Sequence, residues 1–338
     1  MSKTKQTLIY ILQRLALMVL TFLVIFFICF ALVRMLPVNP GQGMNDPETF
    51  WKMMVNQGRY RKVGNEYVAI PVLEQLGTFL KQLFDPTFKG SRLGYAYHVS
   101  GYWLESPASV LFSKMPPTIL INIYSVIFSV PLGIGIGIFM ALKKNKWEDT
   151  VLSILIMVTI SVPSFVYAFM LQYLFAYVWQ ILPAQTASAS AGWLSGEMFK
   201  SMLLPVLSMS FGSIAGYARY TRAELTEVLT SDFMLLARTK GLTRTQATVR
   251  HAFRNSLVPI FPMLLGEIIS VLSGSLIIEN IFGVNGVGAV YLNAITTRDY
   301  DVFQFVSMFY ISIGLIGTLV VDISYGLVDP RIRMGSSK

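Results

Sequence analysis

The sequence predicts an all-α polytopic membrane protein with six transmembrane helices and an external insert after the first of them. Three observations predict it. Of the 338 residues, 54% are hydrophobic and only 13% charged, with a mean hydropathy of +0.58, which is far more apolar than a soluble globular chain. The apolar residues gather into runs long enough to cross a bilayer. The basic residues, which give a net charge of +9, fall in short connections between those runs, where they act as orientation signals and not as a nucleic-acid face.

The first run, Leu8 to Leu36, follows Lys3 and Lys5 and starts like a signal peptide. It is too long for one, and no small-x-small site follows it, so it is expected to be an uncleaved anchor. With its short tail it makes up residues 1–36. Residues 37–114 turn polar, aromatic and Pro/Gly-punctuated, with a helical stretch over Val72 to Phe84. This is the extracytoplasmic insert. Its Trp51, Tyr60, Tyr67, Tyr95, Tyr97, Tyr102 and Trp103 have two uses open to them: contact with a partner or lipid headgroups, or a small core of the insert's own.

Residues 115–338 carry five further spans. The second, Thr118 to Leu142, contains Gly133-xxx-Gly137, a spacing that lets another helix approach closely. A basic turn with Lys143, Lys144 and Lys146 leads to the third span, Val151 to Leu182, which Pro163 is expected to kink. The fourth covers Met202 to Tyr220, the fifth Leu257 to Ile281, and the sixth Val302 to Leu327. Between the last two lies FGVNGVGAVYLNAITTRDYD, which suits a partly inserted pore-side loop.

The polar, basic stretch between the fourth and fifth spans, residues 223–256, is the most informative part of the chain. Thr230, Ser231 or Asp232 is placed to cap a short helix running to Lys240 by accepting from its first N–H groups. Gly241 ends that helix, because glycine tolerates the left-handed backbone of a helix terminus. Thr243-Arg244-Thr245-Gln246 has capping-box spacing and starts a second helix to about Ser256, with Pro259 opening the next apolar segment. A helix-turn-helix elbow results.

Charge orients the spans. With the N-terminus inside, the inside segments hold sixteen basic residues, against two in the short outside loops, Lys200 and Arg298. Both termini and the elbow are then cytoplasmic. Three carboxylates fall within spans, where each needs water or a partner: Glu267, Glu279 and Asp322. Glu267, with Ser270, Ser273 and Ser275 beyond it, marks a candidate translocation pathway. Glu279 is kept with that set, although its place near a span end, like that of Asp322, suits a structural ion pair or a helix-end hydrogen bond.

Enzyme chemistry finds little support. The chain has one cysteine, Cys29, and two separated histidines, His98 and His251, so it offers no intrachain disulfide and no metal cluster. It lacks HExxH, GxSxG and any Gly-Lys dipeptide for a phosphate-binding loop. A self-sufficient secondary transporter would need a coupling-ion site and usually internal repeats, and neither is evident.

The elbow resembles the coupling loop of ABC-importer inner-membrane subunits, whose pattern is Glu-Ala-Ala, three residues, Gly, nine residues, Ile-x-Leu-Pro. The matching positions are Leu235-Leu236-Ala237, Gly241 and His251-Ala252-Phe253-Arg254, with Leu235 in place of the leading Glu and Arg254 in place of the final Pro. ARTKGL and RHAFRNSLVP are similar to the oligopeptide/dipeptide/nickel branch. Arg34-Met35-Leu36-Pro37-Val38-Asn39-Pro40 matches a further motif, where the branch usually has Gly-Asp before the last Pro. Asp322-Ile323-Ser324-Tyr325 followed by Asp329-Pro330-Arg331 matches another. The insert directly after the first span is like that of an OppB-like (DppB-like) subunit.

The resemblance implies an ABC type I importer permease fold and a multi-pass protein of the bacterial cell membrane. It implies ATPase coupling through Leu236, Ala237, Lys240, Gly241, Leu242, Thr243, His251, Arg254 and Asn255. Arg34, Pro37, Pro40, Asp322, Tyr325, Asp329, Pro330 and Arg331 would be signature structural positions. The implied partners are a second, OppC-like permease, two OppD/OppF-like ATPases and an external OppA-like solute-binding lipoprotein, with a peptide as cargo. ATP and Mg would bind the ATPases, leaving this chain without a cofactor or metal of its own.

Overall fold

The computed structural model describes residues 3–36, 47–87, 91–97, 102 and 104–328. Pro37, Val38, Asn39, Pro40, His98, Trp103, Asp329, Pro330 and Arg331 lie outside the described residues. In chain order the elements are α1 (Lys3–Met35), α2 (Pro47–Asn56), β1 (Tyr60–Val63), β2 (Glu66–Ala69), α3 (Val72–Phe84) and α4 (Pro107–Leu142). Next come α5 (Trp147–Ser161), α6 (Ser164–Gln172), α7 (Gly196–Leu229), α8 (Asp232–Thr239), α9 (Arg244–Ala247) and α10 (Phe253–Ser256). The chain ends with α11 (Ile260–Ser270), α12 (Leu276–Ile281), α13 (Val287–Thr296) and α14 (Tyr300–Val328).

Four helical stretches are each long and apolar enough to cross a bilayer among the described residues: Leu8–Met35, Pro107–Leu142, Gly196–Leu229 and Tyr300–Tyr325. Two bent pairs raise the number to as many as six: Trp147–Ser161 with Ser164–Val178, at 96°, and Thr245–Ser256 with Ile260–Ser270, at 52°. The expected kink at Pro163 is therefore a complete break. Proline drives the residue before it into extended backbone, and Val162 adopts φ −94°, ψ 126°. The Tyr167 hydroxyl donates to the Thr159 carbonyl at 2.6 Å, pairing an oxygen in the last turn of α5.

Two other expectations are corrected. The second long helix starts at Pro107, not near Thr118, because Ser106 caps it: the Ser109 N–H donates to Ser106 Oγ at 3.2 Å. Proline suits the first helical position that follows such a cap. The fifth run is not one helix. It unwinds after Ser270 through Gly274, at φ +65°, and restarts at Leu276, where Ser275 Oγ accepts from the Ile278 N–H. The Gly-rich segment, expected as a partly inserted pore-side loop, contains α13, which buries Val287, Val290 and Ala294.

The chain packs as two units. One comprises residues 13–116 and 285–315, the other residues 1–12, 117–284 and 316–338. In the first, the described residues of the insert form α2, β1, β2 and α3. Trp51 stacks on Tyr67 at 4.9 Å, Tyr60 meets Trp51 edge-on, and Phe50, Met54 and Tyr97 are buried, so these aromatics form a core of the insert's own. The β1–β2 hairpin pairs Tyr60 with Ala69 and Val63 with Glu66.

Two aspartates at the start of α14 hold this unit together. Asp299 accepts from the Tyr97 N–H at 2.7 Å, and Asp301 accepts from the Tyr95 N–H at 3.2 Å and from Gln57 Nε2 at 3.4 Å. Asp301 also forms a buried ion pair with Arg59. Burial, reinforced by the Asp301 charge, pushes the Tyr97 hydroxyl well above the ordinary tyrosine range. That hydroxyl stays protonated and accepts from Gln57 Nε2 at 2.9 Å.

In the second unit, α4 and α7 approach so closely that side chains are excluded at the GxxxG match. A Cβ on Gly133 would stand 2.7 Å from Tyr217 Cβ and 2.8 Å from the Ile214 carbonyl oxygen. One on Gly137 would stand 2.6 Å from the Ala218 carbonyl oxygen. These glycines are a packing face.

Candidate coupling elbow and polar pathway

The elbow contains α8, α9 and α10. Gly241 sits at φ +91° with nothing near the place of a Cβ, so the backbone, and not crowding, requires glycine there. The capping box forms reciprocally: the Gln246 N–H donates to Thr243 Oγ1 at 3.3 Å, and the Thr243 N–H donates to Gln246 Oε1 at 3.1 Å. Residues 248–252 widen into a π turn before α10.

The cap expected for the first elbow helix is different. Ser231 occupies the cap position but makes no side-chain cap bond. Its hydroxyl donates backwards to the Val228 carbonyl at 2.5 Å, while Thr230 Oγ1 donates to the Glu227 carbonyl at 3.0 Å. A hydroxyl can donate as well as accept, and here it satisfies the last carbonyls of α7, which have no partner within that helix.

One side of the elbow is closed. Met234, Ala237, Ala247 and Ala252 are buried against Ala141 of α4 and Leu225 of α7, with Leu242, Val228 and Leu229 packed around them. The other side is open and apolar: Phe233, Leu235, Leu236 and Val249 are exposed, the last by 64%. Of the positions expected to couple, Leu236, Lys240, Gly241, Thr243, His251, Arg254 and Asn255 lie exposed, Ala237 faces inward and Leu242 is half-buried. Phe233 and Val249 are likewise exposed apolar residues of the elbow and were missed. For Phe233 the signal was the unbroken apolar run 233–237, which a short helix cannot bury on one side; Val249 stands alone between Thr248 and Arg250 and carried no such signal.

Glu267 is half-buried and accepts from Ser213 Oγ of α7 at 2.9 Å. Ser270 is exposed and donates back to the Glu267 carbonyl at 2.7 Å, and Ser273 is half-buried in the unwound turn. Glu279 differs from both. It is 2% exposed and accepts from Thr118 Oγ1 at 2.9 Å, a hydrogen bond near the start of α12. Arg34 is half-buried with its guanidinium 4.8 Å above the Phe30 ring. Asp322 and Tyr325 are half-buried in the last turns of α14. Among the described residues, no group of three or more His, Cys, Asp or Glu side chains is arranged to hold a metal.

Helices long and apolar enough to cross a bilayer, two pairs of them sharply bent, define a multi-pass membrane protein. Residues 133–334 match the family described as binding-protein-dependent transport system inner membrane component. The oligopeptide transport system permease protein OppB of Escherichia coli (strain K12) is 30% identical over 332 residues, covering 96% of this chain and 99% of the relative. The dipeptide transport system permease protein DppB of Bacillus subtilis (strain 168) is also 30% identical over 332 residues, covering 96% and 98%. DppB of Lactococcus lactis subsp. cremoris (strain MG1363) is 28% identical over 326 residues, covering 96% and 99%. The chain belongs to the family of binding-protein-dependent transport system inner membrane components. It is a permease subunit of an ABC importer, which works with an ATPase and a solute-binding protein.

Proposed function

We propose that this chain is the OppB-like half of a peptide importer, with oligopeptides as cargo, and that its elbow is the contact with one cytoplasmic ATPase. The observation that carries this reading is the elbow's two-sidedness. Its inner face is seated on α4 and α7, while Phe233, Leu235, Leu236 and Val249 form an exposed apolar face among basic residues, the mark of a docking surface. An OppC-like permease would complete the pathway, two OppD/OppF-like ATPases would bind ATP and Mg, and an OppA-like lipoprotein would deliver cargo to the outer face. Both termini would be cytoplasmic, with six spans counting each bent pair as one. Closure of the ATPases would rock the spans between two discrete arrangements.

Within this reading Glu267, Ser270 and Ser273 contribute polar groups to the pathway, whereas Glu279 serves packing. The insert would form part of the docking surface for the binding protein. Dipeptide cargo is the second reading, because a relative as similar as the OppB protein carries that name, and a nickel chelate is the third.

The test is reconstitution of the two permeases and two ATPases, together with the binding protein, with Leu236→Cys in a Cys29→Ser background, followed by cross-linking in the presence and absence of nucleotide. An adduct between the elbow and an ATPase supports the reading. Its absence in a complex that still imports peptide would remove the elbow's role. Uptake of peptides of graded length by the same vesicles would separate oligopeptide from dipeptide cargo.

A further inference from the structure

We infer that Asp149 is a positioning residue which, through a two-point bond to Arg222, makes α5 move with α7 when the elbow is pushed. The inference rests on the elbow being the ATPase contact. Asp149 lies in the first turn of α5, and its side chain is only 4% exposed. Both its oxygens are engaged. Arg222 Nε donates to Oδ1 at 2.5 Å, Arg222 Nη2 donates to Oδ2 at 2.7 Å, and the Asn145 N–H adds a bond to Oδ2 at 3.1 Å. Lys143, in the same turn, pairs with Glu148 at 3.0 Å.

Arg222 stands one helical turn before Leu225, which is fully buried beneath the elbow. The elbow's seat also includes Ala141 and Ile138 of α4. The glycine seam at Gly133 and Gly137 leaves α4 and α7 no side-chain slack along their contact. A displacement of the elbow is therefore delivered to α4 and α7 together. Further along, α5 is seated on both helices, with Ile156 buried against Met140 of α4 and Ala215 and Ala218 of α7; its first turn, which follows the turn at residues 143–146, lies ahead of that contact and needs a lock of its own. The fork between Arg222 and Asp149 supplies that lock, because two parallel hydrogen bonds fix the angle between partners as well as their distance. A lysine at the same place would keep the charge but act as a point that permits swivel. This predicts a way to separate positioning from attraction.

The test uses the complete complex in vesicles and compares wild type with Arg222→Lys and with the double variant Asp149→Ala/Arg222→Ala. The readouts are assembly, thermal midpoint, binding-protein-stimulated ATPase activity and peptide taken up per ATP hydrolysed. Arg222→Lys is expected to assemble and hydrolyse ATP normally while uptake per ATP falls about fivefold, the low end of ordinary coupling between sites. The double variant, which leaves no unpaired charge, is expected to recover stability but not uptake per ATP. A normal uptake ratio in Arg222→Lys, or its failure to assemble, would overturn the positioning role. The Leu236→Cys cross-link made in the same complexes keeps the two ideas apart. An adduct with a normal ratio removes only the role of Asp149, whereas no adduct in any complex removes the elbow contact and this inference with it.

Discussion

The insert and the elbow both lie between apolar runs of the sequence, yet they are held by opposite means. The insert is fixed by contacts between residues 202 to 244 positions apart, with Asp299 and Asp301 reaching the Tyr97 and Tyr95 N–H groups, Gln57 and the Arg59 guanidinium. The elbow is shaped by bonds three to five residues long: the Thr243–Gln246 box, the backward bonds of Thr230 and Ser231, and the turn at Gly241. Below it lie apolar residues of α4 and α7, Ala141, Ile138, Leu225, Val228 and Leu229. A buried ion pair tolerates little sliding, since losing one partner strands the other charge. Local caps are individually weak, so an element built from them keeps its shape while its seat shifts.

The largest effect is expected where that contrast is sharpest. Asp301→Ala leaves Arg59 charged and buried, which costs about 3–5 kcal/mol. It should lower the thermal midpoint of the purified permease and expose the insert to protease. Replacing both partners by apolar residues should recover most of the loss, and a single variant as stable as wild type would show that the pair does not hold the insert.

Next comes the glycine seam. Gly137→Val must displace the Ala218 carbonyl or Thr221 and is expected to cost about 1–3 kcal/mol as overpacking. Gly135→Ala in the same helix, where a Cβ meets nothing within 4 Å, should be neutral or stabilising by about 0.5–1 kcal/mol. Equal midpoints for the two variants would contradict a side-chain-free contact.

At the elbow, Gly241→Val puts a branched side chain at φ +91°, a strain of about 1–2 kcal/mol. Membrane assembly should survive while uptake per ATP drops; uptake at the wild-type ratio would show that the turn can re-form without glycine. The smallest effect is expected for Thr243→Ala, which removes a helix cap worth about 1 kcal/mol. Faster amide exchange confined to residues 243–247 is the expected signature, and unchanged exchange there would mean that the cap bond contributes nothing to holding α9.

Much of the molecule was legible because the signals were local. The capping box, the positive φ at Gly241, the helix over Val72–Phe84 and the disruption at Pro163 each follow from the chemistry of a few neighbouring residues. The same reasoning misjudged Ser231, because a hydroxyl next to two helices can bond to either, and it missed Phe233 and Val249, whose exposure depends on which residues α4 and α7 cover. It ran the fifth span through Gly274, where hydropathy is continuous but the chain unwinds and restarts at a Ser275 cap.

By itself the sequence determined the membrane class, the order of the long helices and the shape of the elbow, since bilayer thickness, backbone hydrogen bonding and helix capping act over short stretches of chain. Only the tertiary structure decided that Asp299 and Asp301 fasten the insert, that Gly133 and Gly137 are a seam with α7, and that Arg222 grips Asp149. Those pairings depend on which distant segments meet, and a buried charge is stable only where its partner happens to be.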